Sequence, residues 1–180
     1  MAIWAWIVVG VGAVLIVVAA VVVSVIAWRT YRRRMLLRLL VRAEAVQAAG
    51  SALRDTVLRL ADGPIEELQV FIDDPDSVER RAMAEVRSRA GMLYDELDRM
   101  ALPKSLIPVA EALADAAYAT YEQAGCVADA DSSNDALDHL AGIKLEKVRT
   151  YSLKARTLVA GACDVCGLDD TAVYGGGLYL

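Results

Sequence analysis

Residues 3–27 read IWAWIVVGVGAVLIVVAAVVVSVIA, and residues 28–42 read WRTYRRRMLLRLLVR. The first stretch carries no charge. The second carries six arginines, Arg29, Arg32, Arg33, Arg34, Arg38 and Arg42, and no acid. At about 1.5 Å per residue the apolar run forms a helix of roughly 37 Å, enough to cross about 30 Å of hydrocarbon with some tilt. No basic segment precedes it, and it is longer than the apolar core of a cleaved signal peptide. The expectation is a single transmembrane helix.

The flanks extend this reading. Trp4 and Trp6 stand at one end of the run, Trp28 and Tyr31 at the other. These are the depths where amphipathic rings favour the headgroup zone. Arg29, Arg32, Arg33 and Arg34 follow at once and would meet anionic headgroups, each contributing on the order of 1 kcal/mol. Basic flanks stay on the cytoplasmic side. The expected topology is therefore single-pass in the inner (plasma) membrane, with the N-terminus outside and the rest in the cytoplasm. Gly10, Gly12, Ala20 and Ser24 are small enough to permit close helix packing within the bilayer.

From Ala43 onward the 180-residue chain changes character, with 24 acids against 13 bases, a net −11. Apolar residues recur there at alternating spacings of three and four. One series is Leu39, Ala43, Val46, Gly50, Leu53, Val57 and Leu60, and another is Val86, Ala90, Leu93, Leu97 and Met100. A third is Leu106, Ala110, Leu113, Ala117, Thr120 and Ala124. The last is Leu137, Ala141, Leu145, Val148, Ser152, Ala155, Val159, Ala162 and Cys166. This is the helical period, and no window alternates as a strand does.

The breaks fall at turn residues. Asp62-Gly63-Pro64 ends one helix and opens a short one, with Pro64 in its first turn and Glu66 and Glu67 near its positive end. Asp76 with Glu79 fits a capping box. Ser105 is placed to cap the third helix, with Pro108 in its first turn, and Ser132 or Ser133 to cap the fourth. Short connections favour antiparallel neighbours. The expected fold is all-α, a transmembrane helix followed by an antiparallel four-helix bundle. The division is 1–28 anchor, 29–42 basic juxtamembrane helix, 43–168 cytoplasmic bundle and 169–180 C-terminal tail. Nothing in residues 26–42 breaks a helix, so the first bundle helix is expected to continue from the span. The layout of one span plus a helical bundle is similar to that of LemA-like membrane proteins, a likeness of architecture that carries no activity with it.

Candidate chemistry is sparse. Cys163-Asp164-Val165-Cys166 has the spacing of a redox pair or half a zinc site. It falls at a helix end, where the dipole and Asp164, Asp169 and Asp170 disfavour thiolate. The remaining ligands, Cys126 and His139, lie far from it: Cys163 is 24 residues beyond His139, about 36 Å along a helix. The expectation is that Cys166 packs in the seam with Cys163 beside it, and that His139 is a surface residue at a helix start. Asp73, Asp74, Asp76 and Glu79 lack the calcium-loop pattern and read as a turn. No catalytic residue, metal or cofactor is assigned.

Net acidity argues against nucleic acid as partner. The expected partners are the bilayer and a protein, another or a second copy. Four Lys against 15 Arg, with many Ala, suggest a GC-rich bacterial gene. The reading is a membrane-anchored, non-catalytic interaction or scaffold module. A thiol- or metal-dependent regulator using Cys163 and Cys166 is the alternative.

Overall fold

The computed structural model of the chain describes residues 2–130 and 132–168, with side chains from residue 15 onward. Its described residues form six α-helices and no strand: α1 Ala2–Asp62, α2 Ile65–Asp73, α3 Val78–Asp98, α4 Ile107–Ala128, α5 Ser133–Ala141 and α6 Leu145–Cys166. The side chains of Trp4 and Trp6, and the whole tail 169–180, lie outside the described residues.

Helix α1 runs unbroken for 61 residues, about 90 Å. Its described apolar part is exposed throughout, from 45% at Val25 to 72% at Ile16. It is long and apolar enough to cross a membrane. Burial begins abruptly at Leu36, inside the arginine segment, and Leu36, Leu39, Leu40, Val46, Leu53 and Leu60 then face the core. The helix thus passes from exposed on all faces to buried on one face where its sequence changes.

The four long helices alternate in direction. Arg42 pairs with Glu96 and Arg59 with Glu79, so α3 runs back along α1. Arg87 meets Asp129 while Tyr94 stacks near Tyr118, so α4 reverses again. Glu122 pairs with Lys147 and Asp115 with Lys154, so α6 opposes α4. Helix α4 touches α1, α3 and α6. That explains its composition: Ala110, Ala112, Ala116, Ala117, Ala119 and Ala124 are all buried, because a helix wrapped by three others accepts small residues on most faces.

The core has two parts. One gathers Leu36, Leu39, Leu97, Leu106, Leu113, Val159 and Cys163, beside the end of the apolar run. The other gathers Leu53, Leu60, Phe71, Met83, Val127 and Val148 at the far end.

Several expectations are corrected. The fourth expected helix is two, α5 and α6. The chain breaks at Gly142–Lys144, where the backbone N–H of Lys144 donates to Gln123 Oε1 at 2.7 Å. Leu137 and Ala141, placed in the seam by spacing, are exposed. Helix α3 is capped by Ser77, whose Oγ accepts from the Arg80 N–H at 3.4 Å, and not by Asp76. Asp76 instead donates its N–H to Asp74 Oδ1 within the turn. Ser105 caps nothing. Leu106, fully buried, is the residue flanking α4, with Pro108 in the first turn. Ser132 does cap α5. Pro64 flanks α2 from outside, and Glu66 and Glu67 lie in its first turn.

Candidate functional site

The arginine segment of α1 divides by face. Arg42 turns inward to α3, where it pairs with Glu96, and its Nη1 donates to the Arg38 carbonyl. Arg32 lies over the Trp28 ring, 4.8 Å from the centroid, with its Nε buried and without a protein partner. Arg29, Arg33 and Arg34 are exposed, as are Trp28 and Tyr31. Arg29, Arg33, Leu37 and Val41 recur every four residues and so form one stripe, cationic toward the apolar run and apolar beyond it.

That stripe borders a groove of about 500 Å³ between α1 and α6. Its α1 wall includes Leu37, Leu40 and Val41. Val159 and Leu168 contribute from the α6 side. Leu37 is 47% exposed and Val41 66%. Arg33 lines the end nearest the apolar run, and Glu44 and Arg156 line the farther half, with Gln47 and Ser152 beyond them. The lower rim depends on Gly167. It ends α6 with φ +60, a conformation that favours glycine, and the Leu168 N–H donates back to the Cys163 carbonyl at 3.0 Å. Leu168 thereby folds onto the core.

The two cysteines of the C-x-x-C lie in the last turn of α6, in the reverse of the expected roles. Cys163 is fully buried and Cys166 half-buried. The buried stripe is Ala155, Val159, Cys163, at steps of four, which turns Cys163 inward. Cys126 is exposed. Among the described residues no group of three or more His, Cys, Asp or Glu is placed to hold a metal. His139 is exposed and lies in the last turn of α5, not at a helix start. Asp73, Asp74 and Asp76 form the α2–α3 turn, and Asp73 accepts from Ser133 Oγ at 3.4 Å.

Sequence reasoning missed Arg80. It is buried, and it donates from Nε to the Phe71 carbonyl (3.0 Å), from Nη2 to that of Ile72 (3.3 Å) and from Nη1 to that of Ala130 (3.3 Å). The cation satisfies carbonyls at the negative end of α2 and ties the segment after α4 to them. Its signal was its place three residues before Met83 on the buried stripe of α3.

On α3 and α4, Tyr94, Tyr118 and Tyr121 form a row with ring centroids 5.4 and 6.2 Å apart. Arg87 lies over Tyr121 and pairs with Asp129. The chain matches no known family, no curated protein and no solved structure.

Proposed function

We propose that this chain is a single-pass membrane protein whose acidic helical bundle is a non-catalytic interaction or scaffold module held at the cytoplasmic face of the inner (plasma) membrane. The carrying observation is the continuity of α1. An exposed apolar stretch runs without a break into a helix that buries one face over about seven turns, from Leu36 to Leu60. In water such a stretch would leave a contiguous apolar surface far beyond what soluble monomers tolerate. In a bilayer it is satisfied, and the arginines fall at headgroup depth. The bundle then stands directly on the membrane, without a flexible linker. Its surface offers a partner an acid-rich face and the Tyr94–Tyr118–Tyr121 row, a residue type favoured at interfaces.

Two measurements test this. After alkaline carbonate washing the full-length chain should stay with the membranes; release into the supernatant overturns the anchor. The exposed Cys126 should react with a membrane-impermeant maleimide only after cells are opened. Labelling in intact cells would reverse the orientation.

A further inference from the structure

The groove between α1 and α6 begins where the apolar run ends. Arg33 is five residues past Trp28, about 8 Å along the helix, and the α1 wall extends to Gln47, about 21 Å further. Half of a hydrocarbon core of roughly 30 Å is about 15 Å, the depth that one leaflet's acyl chains fill. A volume of about 500 Å³ lies within the usual size of small-molecule sites. The walls are apolar, and Leu37 and Val41 are left uncovered by the protein.

Charge decides the occupant. In the farther half Glu44 and Arg156 both line the groove, one of each sign, and the neutral Gln47 and Ser152 lie beyond them. At the bilayer end Arg33 lines it, with Arg29 one turn below on the same stripe; α1 carries no acid before Glu44, and Asp164, exposed in the last turn of α6, does not line the groove. An anionic group therefore belongs at the bilayer end and an apolar chain above it. A second copy fits poorly. Two chains anchored in one bilayer run parallel, so a twofold axis would set Arg33 against Arg33.

We propose that the groove holds one acyl chain of an anionic phospholipid drawn from the adjoining leaflet. The phosphate stays at headgroup depth against Arg29 and Arg33, and the chain turns up along Leu37, Leu40, Val41 and Val159. The proposal rests on the anchored reading above. It makes the bundle a sensor or presenter of anionic lipid, which bare tethering does not require.

The test uses the full-length chain in nanodiscs of phosphatidylcholine and phosphatidylglycerol. Either lipid in turn carries a photoactivatable group near the end of one acyl chain, and crosslinks are mapped by mass spectrometry. Crosslinks are expected on α6 around Val159, a helix outside the bilayer, besides those on residues 3–28. Leu37→Glu with Val41→Glu, both exposed positions, should reduce the α6 crosslinks by about tenfold or more, while residues 3–28 still react. Arg33→Gln should lower the preference for phosphatidylglycerol by about fivefold. Crosslinks confined to residues 3–28 overturn the groove and leave the anchor standing. Absence of crosslinks from residues 3–28 as well removes both. Three further results also overturn the groove: α6 crosslinks indifferent to the double variant, α6 crosslinks appearing only after deletion of residues 169–180, and a lipid-independent dimer dispersed by the double variant. The second of these would give the groove to the tail, and the third to a second copy.

Discussion

The two ends of the bundle are finished differently. At the far end α2 and α5 touch each other across the ends of the long helices. Phe71 fills the core beneath them, and Arg80 joins the end of α2 to the segment after α4. Next to the apolar run, the connection between α3 and α4 packs Met100 and Leu102 against the core, but the α1–α6 side is left open. Hydrogen bonds from Arg80 tie the far end together, although Ile65, Val70 and Val78 stay exposed there, whereas the groove at the other end leaves Leu37 and Val41 uncovered.

The closed end can be broken first. Arg80→Met keeps the length and apolar bulk of the side chain and removes its donors. Three carbonyls then lose charge-assisted partners. The loss should be about 3 kcal/mol, read as a lowered thermal midpoint of the full chain in detergent. An unchanged midpoint would mean that Arg80 does not hold the far end shut. The matching change at the open end, Leu37→Glu with Val41→Glu, should move stability by no more than about 0.5 kcal/mol, since both residues already face outward. A large loss there would show that the open side is part of the core after all.

Smaller effects separate helices packed on few sides from those packed on many. A Cβ on Gly161, in the exposed face of α6, would meet nothing within 4 Å, so Gly161→Ala should gain about 0.5–1 kcal/mol from helix propensity. A Cβ on Gly91 of α3 would stand 3.2 Å from the Tyr121 ring of α4, so Gly91→Ala forces that ring to shift and forfeits the same gain. Equal stabilisation by both substitutions would mean that α3 and α4 are not as closely packed as α4's alanines imply.

These particulars show what one chain reveals about its own fold. Each position that spacing placed in the α4 seam, from Leu106 to Ala124, is buried. A helix surrounded on three sides follows its period closely, although it buries Val109, Ala112, Ala116 and Ala119 as well. The break between α5 and α6 was not legible, because the three-four spacing continues across Gly142 while the helix does not. The deciding contact, Gln123 to Lys144, is tertiary. Arg80 and Arg81 are indistinguishable by type, and only position on the stripe separates them. The groove had no signal of its own. Leu37 and Val41 belong to an amphipathic pattern, and period alone does not say which apolar residue a neighbour leaves uncovered.

The smallest expected effect concerns pH. On the face shared by α4 and α6, the Lys147 ammonium donates to Glu122 and holds its carboxyl below the usual 4.5, with partial desolvation opposing; Glu122 in turn holds Lys147 above 10.5. A depressed acid contributes its stability above its unfolded value and loses it as pH falls through the folded one. A raised amine contributes below its unfolded value and loses it as pH rises through the folded one. Both contributions are complete between about 4.5 and 10.5 and fade on either side. Because each shift is caused by the partner, either Glu122→Gln or Lys147→Met should flatten both the acid and the alkaline limb of the stability profile. Both changes should be small, because the two side chains are more than a third exposed and solvent screens them. Acid should therefore loosen the α4–α6 face, where this pair sits. An acid limb unchanged by both substitutions would mean that the pair does not hold α4 to α6.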